Sequence, residues 1–198
     1  MTADFKYNLS FTVGGLLQSE SVLLAKMYFE KGDWKQVREI ALSENPLQIR
    51  TLSARERISR EVIFRLMELS NDELKYFCET NLQEQRYLLW LAVCRRYRFI
   101  AEFSIEILHE RFVTMNKKTD FDDYNFFFDR KAEWNPQFNK LKSSSRAKLR
   151  SVLFRIMKEA ELIDNNKHIN TMVFSPNLNS LLTRTAPENL QIFPGLIH

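Results

Sequence analysis

An all-α fold, a compact multi-helix globular domain, is predicted by three observations on this 198-residue chain. Helix formers such as Leu, Glu, Arg and Lys are abundant, whereas alternating Val, Ile and Thr runs bounded by turns are nearly absent. Only four glycines and five prolines break the chain up. One helix-start device recurs, a Ser or Asn with Glu three positions on, at Ser53 with Glu56, Ser70 with Glu73 and Asn81 with Glu84. Hydrophobic content of 44%, with sixteen Phe residues, is ample for a core.

The elements follow in order. Ser10-Phe11-Thr12-Val13-Gly14-Gly15 reads as an irregular lead-in whose glycines turn the backbone into a helix over about 16–30, ended by Gly32. Asp33 caps a second helix to about Ser43, with Trp34, Val37, Ile40 and Ala41 inward, and Asn45-Pro46 closes it. The Ser53 helix runs to about Leu69 and buries Ile58, Val62, Leu66 and Leu69. On it Arg55, Arg57 and Arg60, with Arg50 and Arg65, read either as a second basic patch or, because Glu56 and Glu61 dilute it, as a salt-bridged surface face. From Asn81 to Met115 the pattern is too long for one ordinary helix, so a break is expected near 97–100. Arg95, Arg96 and Arg98 cluster there, suited equally to phosphate or to neighbouring carboxylates.

An acidic, aromatic helix is expected over about 120–133, with Phe121, Tyr124, Phe127 and Phe128 forming a core stripe. Asn135-Pro136 opens a short helix to about Leu141. A second helix follows from the turn at 142–145, the order of a helix-turn-helix unit. Beyond it, Leu162-Ile163, the turn-prone Asp164-Asn165-Asn166-Lys167 and His168-Ile169 make either a plain loop or a tiny β-hairpin wing. Ser175-Pro176 starts the last helix, and the tail from Pro187 has no clear period. One or two helix-turn-helix units are expected in all, in an N-terminal helical core, 1–134, with a C-terminal helix-turn-helix region, 135–198, packed on it.

The positive excess sits in one short stretch. Between Asn135 and Lys158 there are seven basic side chains, Lys140, Lys142, Arg146, Lys148, Arg150, Arg155 and Lys158, and no acidic one. The net charge of the chain is +4, so this stretch carries +7 and the remainder −3. From Leu149 the same stretch is amphipathic, with Leu149, Val152, Leu153, Ile156, Met157 and Ala160 at the spacing of one buried stripe. Arg150, Arg155 and Lys158 with Lys148 fall opposite, and Arg146 at the border. Ser143, Ser144 and Ser145 are suited to capping the helix start, where unpaired N–H groups also attract phosphate.

Enzyme chemistry finds little footing. His109, His168 and His198 belong to no metal-ligand pattern, and Gly14-Gly15 lacks the Lys-Ser or Lys-Thr of a phosphate-gripping loop. Cys78 and Cys94 suit reduced thiols better than a disulfide framework or a zinc finger. The longest apolar run, Leu88 to Cys94, is far short of the roughly 20 residues a bilayer span needs, and Asp4, Asn8 and Ser10 argue against a secretory signal. A soluble, cytoplasmic protein with no cofactor, no membrane and no small-molecule substrate is expected.

Several stretches together resemble the BrxA family, small core proteins of BREX bacteriophage-exclusion systems. They are Ser10 to Leu17 with Glu20-Ser21, Asp33-Trp34, Arg50-Thr51, Arg60-Glu61, Arg65-Leu66, Leu89-Trp90, Arg95, Tyr97, Phe99-Ile100 and Glu102-Phe103. Lys148-Leu149-Arg150, Leu153-Phe154-Arg155 and Glu159 to Ile163 complete the resemblance. It implies an all-α, non-enzymatic cytoplasmic protein with helix-turn-helix units that binds double-stranded DNA, encoded beside a DNA methyltransferase and other BREX proteins. The family supplies no position-by-position contact set, so the expected contacts come from charge and periodicity. They are Lys140, Lys142, Ser143 to Ser145, Arg146, Lys148, Arg150 and Arg155, with Arg55, Arg57 and Arg60 on the earlier helix; Arg146, Lys148 and Arg150 are the first choices. An adaptor docking other defence components and a structured-RNA binder are the alternatives. The absence of an exposed Tyr-Phe platform near the basic run argues against single-strand stacking.

Overall fold

The computed structural model describes residues 6–196, which form an all-helical molecule. The order is α1 Gln18–Lys31, α2 Trp34–Ser43, α3 Leu52–Leu66, α4 Asn71–Glu79, α5 Leu82–Arg96, α6 Arg98–Phe103, α7 Glu110–Val113, α8 Phe121–Trp134, α9 Pro136–Asn139, α10 Ser143–Glu159 and α11 Pro176–Thr185. A π-helical turn, Ser104–His109, joins α6 to α7, and a 3₁₀ turn, Pro187–Ile192, follows α11. The long pattern breaks at Tyr97, whose extended backbone ends α5 and begins α6.

Local chemistry accounts for most boundaries. Asp33, Ser70, Asp120 and Ser175 each accept a first-turn N–H, and Ser70–Glu73 and Asp120–Asp123 close reciprocal capping boxes. Two starts differ from expectation. Thr51, not Ser53, caps α3, because the helix begins two residues earlier and the Thr51 hydroxyl reaches the Ala54 N–H. Asn81 caps α5, but Glu84 does not reach back, being taken by the hydroxyls of Tyr76 and Thr80 and by the Ser175 N–H.

α5 is the axis of the molecule. It is buried from Tyr87 to Cys94 on every side, the signature of a helix wholly inside a core. Phe99, just past the break, packs its ring 5.0–6.4 Å from those of Tyr7, Phe11, Tyr124, Phe127, Phe128 and Phe138, so the lead-in, α8 and α9 meet on one side chain. One hydrophobic cluster runs from Phe11 to Phe193, spanning both 1–134 and 135–198. The tail without a period is held by position: the Ile192 carbonyl accepts from Trp90 Nε1 at 2.9 Å and Ser104 Oγ at 2.8 Å.

Three short extended segments meet beside α10. Lys118 pairs antiparallel with His168, and Ile163 with Ile169 across the 164–167 turn. The Ile169 N–H donates to Lys117 O at 2.7 Å and the Thr119 N–H to Lys167 O at 3.0 Å; the Asp164 N–H donates to His168 O and the Asn170 N–H to Leu162 O, each at 2.9 Å. Among the described residues this ribbon is too short to count as a sheet.

Candidate nucleic-acid interface

α10 packs by Leu149, Val152, Leu153, Phe154, Ile156 and Met157, all buried. At about 100° per residue, Ser144, Lys148, Ser151, Arg155 and Lys158 share the opposite arc, and all five are exposed. Lys148, Arg155 and Lys158 have no ion pair or hydrogen bond from their charged ends among the described residues. Lys140 and Lys142, also exposed and without partners there, continue the row ahead of the helix. Glu159, the acidic residue at the end of α10, accepts the Leu16 N–H just before α1. Gly15 permits that approach, since a Cβ there would stand 2.0 Å from the Glu159 carboxylate.

Arg150, expected on the solvent arc, turns instead toward α8, as does Arg146 from its expected place at the border. α8 runs antiparallel along this flank, and Arg146 forms a two-pronged pair with Asp129 at 2.6 and 3.0 Å, donates to Asn125 O at 3.0 Å and lies 4.4 Å over the Phe128 ring. Arg150 donates to Asn125 Oδ1 at 3.1 Å and stacks 4.6 Å over Phe121. Both sit at the edge of the apolar arc, where the neighbouring helix determines which way a long side chain goes. Ser143, Ser144 and Ser145 do not cap: Lys142 occupies the N-cap position and no side chain bonds the first turn, which leaves those N–H groups open.

The second expected patch divides. Arg57 and Arg60 are exposed on α3 without partners among the described residues. Arg55 instead turns back to the carbonyls of Leu42 and Ile49 and closes the loop between α2 and α3. Arg65 is wholly buried and belongs to no surface patch.

The cluster at the helix break ties elements together. Arg95 grips Glu73 at 2.6 and 3.0 Å and donates to Glu68 O; Arg96 pairs with Glu68 at 3.6 Å and lies over Phe64; Arg98 pairs with Glu102. Burial by itself would raise the Glu73 carboxyl, but hydrogen bonds from Arg95, Thr185 and the Ser70 N–H more than offset it and hold the group below its ordinary value.

Two exposed aromatics on α8 were not anticipated. Trp134, ending α8 six positions before Lys140, is 86% exposed, and Phe126 on the same helix is 64% exposed. The core stripe expected on α8 holds for Tyr124, Phe127 and Phe128, whereas its fourth member, Phe121, is 38% exposed and lies under Arg150 and Lys167. Among the described residues no group of three or more His, Cys, Asp or Glu is placed to hold a metal ion, and no helix is long and apolar enough to cross a membrane. Cys78 and Cys94 are free thiols, both raised by burial.

The chain is similar to known proteins over most of its length. The family model described as BrxA matches residues 5–186. A BREX protein BrxA of Bacillus cereus (strain H3081.97) is 27% identical over 151 residues, covering 76% of this chain and 74% of that one. A BREX protein BrxA of Escherichia coli O9:H4 (strain HS) is 21% identical over 179 residues, covering 89% and 84%. The crystal structure of an uncharacterized protein from Magnetospirillum magneticum shares the fold, with a TM-score of 0.83 at 18% identity, over 96% of this chain and 99% of that one.

Proposed function

Because the chain belongs to the BrxA family of BREX phage-defence proteins, we propose that it binds double-stranded DNA, without catalysis, through phosphate contacts from the outer face of α10. The observation that carries this reading is the row Lys148, Arg155 and Lys158, exposed and without an ion pair among the described residues, continued by Lys140 and Lys142 at the open end of the helix. Clustered unneutralised cations on one face are the electrostatic footprint of a polyanion. α9, the turn and α10 follow the order of a helix-turn-helix, and 17 residues make a helix of about 25 Å, long enough to lie in a major groove. Ser144 on the same face adds an uncharged donor to phosphate. The setting on this reading is cytoplasmic.

Arg146 and Arg150, engaged by α8, serve mainly to hold α10 in place. The contact set is therefore Lys140, Lys142, Lys148, Arg155 and Lys158, and five neutralised phosphates give a log–log salt slope of about −4 to −5. The test is fluorescence anisotropy on a 20-base-pair duplex over a salt series. Changing Lys148, Arg155 and Lys158 together to Ala is expected to weaken binding about 10²- to 10³-fold at 0.1 M salt and flatten the slope by about 3. Unchanged affinity and slope in a variant of native helicity overturns the reading. Duplex RNA titrated alongside decides which nucleic acid is preferred.

A second reading, an adaptor for other BREX proteins, is favoured by Trp134 and Phe126, since exposed aromatics flanked by Arg130 are the usual anchors of protein interfaces. Capture of a BREX partner that survives nuclease, is lost in Trp134→Ala and persists in the α10 triple variant would support it.

A further inference from the structure

The ribbon beside α10 gathers cations that are far apart in sequence. We propose that it is a second phosphate-contacting element, in which Lys118 grips the backbone of the same duplex that lies along α10. This rests on the duplex-binding reading above.

Lys118 and His168 face each other across the ribbon in a pair without mutual backbone hydrogen bonds, the type that brings side chains closest. Ile169, next along, points into the core, so alternation sends Lys118 and His168 to solvent, and both are exposed. The Lys118 amine has no partner among the described residues. Lys117 and Lys167 stand behind, held over aromatic rings: Lys117 lies 4.6 Å from Phe112, and Lys167 lies 4.3 Å from Phe121 and 5.8 Å from Phe154 of α10.

The carboxylates nearby are mostly engaged. Asp164 accepts the N–H groups of Asn166 and His168 at 2.8 Å and stands 3.4 Å from His168 Nδ1; Asp120 and Asp123 cap α8, and Asp122 remains exposed. Ribbon and helix also share a surface. Lys167 of the ribbon lies over Phe154 of α10, and Lys158 shares one polar cleft of about 440 Å³ with Asp164 and Asn165 of the turn and with Glu161, whose carboxylate is paired with Arg86. A wing lying beside a recognition helix in this way reaches the backbone flanking the occupied groove.

The test uses the full chain and the same 20-base-pair duplex. Lys118→Ala is expected to lose roughly 5- to 10-fold in affinity at 0.1 M salt with a slope reduced by about 1, and Lys118→Glu to lose more. As a readout independent of affinity, Lys118→Cys carrying an iron-EDTA group should cut the bound duplex at one flank, displaced from cuts made through Lys148→Cys. Native affinity and slope in Lys118→Glu, or no cutting through position 118, overturns this inference while the α10 triple variant still weakens binding. A wild-type protein that does not bind the duplex at low salt overturns the parent reading as well.

Discussion

Arg65 has its guanidinium entirely inside the protein, where Glu61 Oε1 accepts from Nε at 2.7 Å and the carbonyls of Gly15, Leu16 and Val13 accept from the two terminal nitrogens at 2.8–3.5 Å. Tyr97 donates its hydroxyl to the same Glu61 oxygen at 2.6 Å, and burial together with the Glu61 charge pushes its phenol up to about 12. Gly14, at φ +61°, bends the lead-in so that these carbonyls turn toward the guanidinium. Residues separated by some eighty positions thus form one site whose role is to hold the start of the chain on α3 and α5. Removing one partner leaves the other charge buried and uncompensated, so Arg65→Ala is expected to cost about 3–5 kcal/mol in a urea melt. The same contrast distinguishes the cations of α10. Arg146→Ala loses an ion pair and a ring contact and should cost about 1–2 kcal/mol of stability while leaving the salt slope of DNA binding unchanged to within about 0.3. Lys148→Ala should do the reverse, and a melt beside an anisotropy series separates the two.

At the scale of elements, helix starts were legible because a cap is a local contract between a side chain and an N–H two or three residues on. Asp33, Ser70 and Ser175 act as their sequence context predicts, Asn81 caps without closing the box with Glu84, Thr51 caps in place of Ser53, and the Gly32 αL residue ends α1. Ser70 closes a full box whose Glu73 also holds Arg95 of α5 and Thr185 of α11. Ser70→Ala is therefore expected to cost about 1 kcal/mol in thermal or urea unfolding. A loss below about 0.3 kcal/mol would show that Arg95 and Thr185 alone hold Glu73 in place. The basic helix was legible in extent and in its buried stripe, but the flank carrying Arg146 and Arg150 depends on α8, which periodicity along a single helix does not describe.

Across the whole molecule, three carboxylates, Glu73 and Glu84 buried and Glu102 half-buried, join elements distant in sequence: Glu73 links α4, α5 and α11, Glu84 links α4, α5 and the start of α11, and Glu102 takes Tyr7, Arg98 and Lys131. Burial pushes each upward, and hydrogen bonds to the ionised form more than offset it, so all three lie below the ordinary value of 4.5. A depressed folded-state value contributes stability that is complete above the unfolded value and lost as pH falls through the folded one. Urea melts should accordingly be nearly level from pH 7 to 5 and fall steeply below about pH 4.5. Glu73→Gln should be less stable at pH 7 and lose less on acidification; a wild type equally stable at pH 7 and pH 3 would contradict this linkage.

Composition, apolar periodicity and capping chemistry were enough for the helical class, the positions of most helices, the break at Tyr97 and the concentration of charge between Asn135 and Lys158, because each depends on residues within a turn or two of one another. Which cations face solvent was settled by packing. Asp129, Asn125 and Phe121 of α8 claim Arg146 and Arg150, Glu61 and the lead-in carbonyls claim Arg65, and backbone pairing across some fifty residues sets Lys118 against His168. A charge is available to a partner only when no nearer group within the fold has already neutralised it, and that depends on neighbours in space.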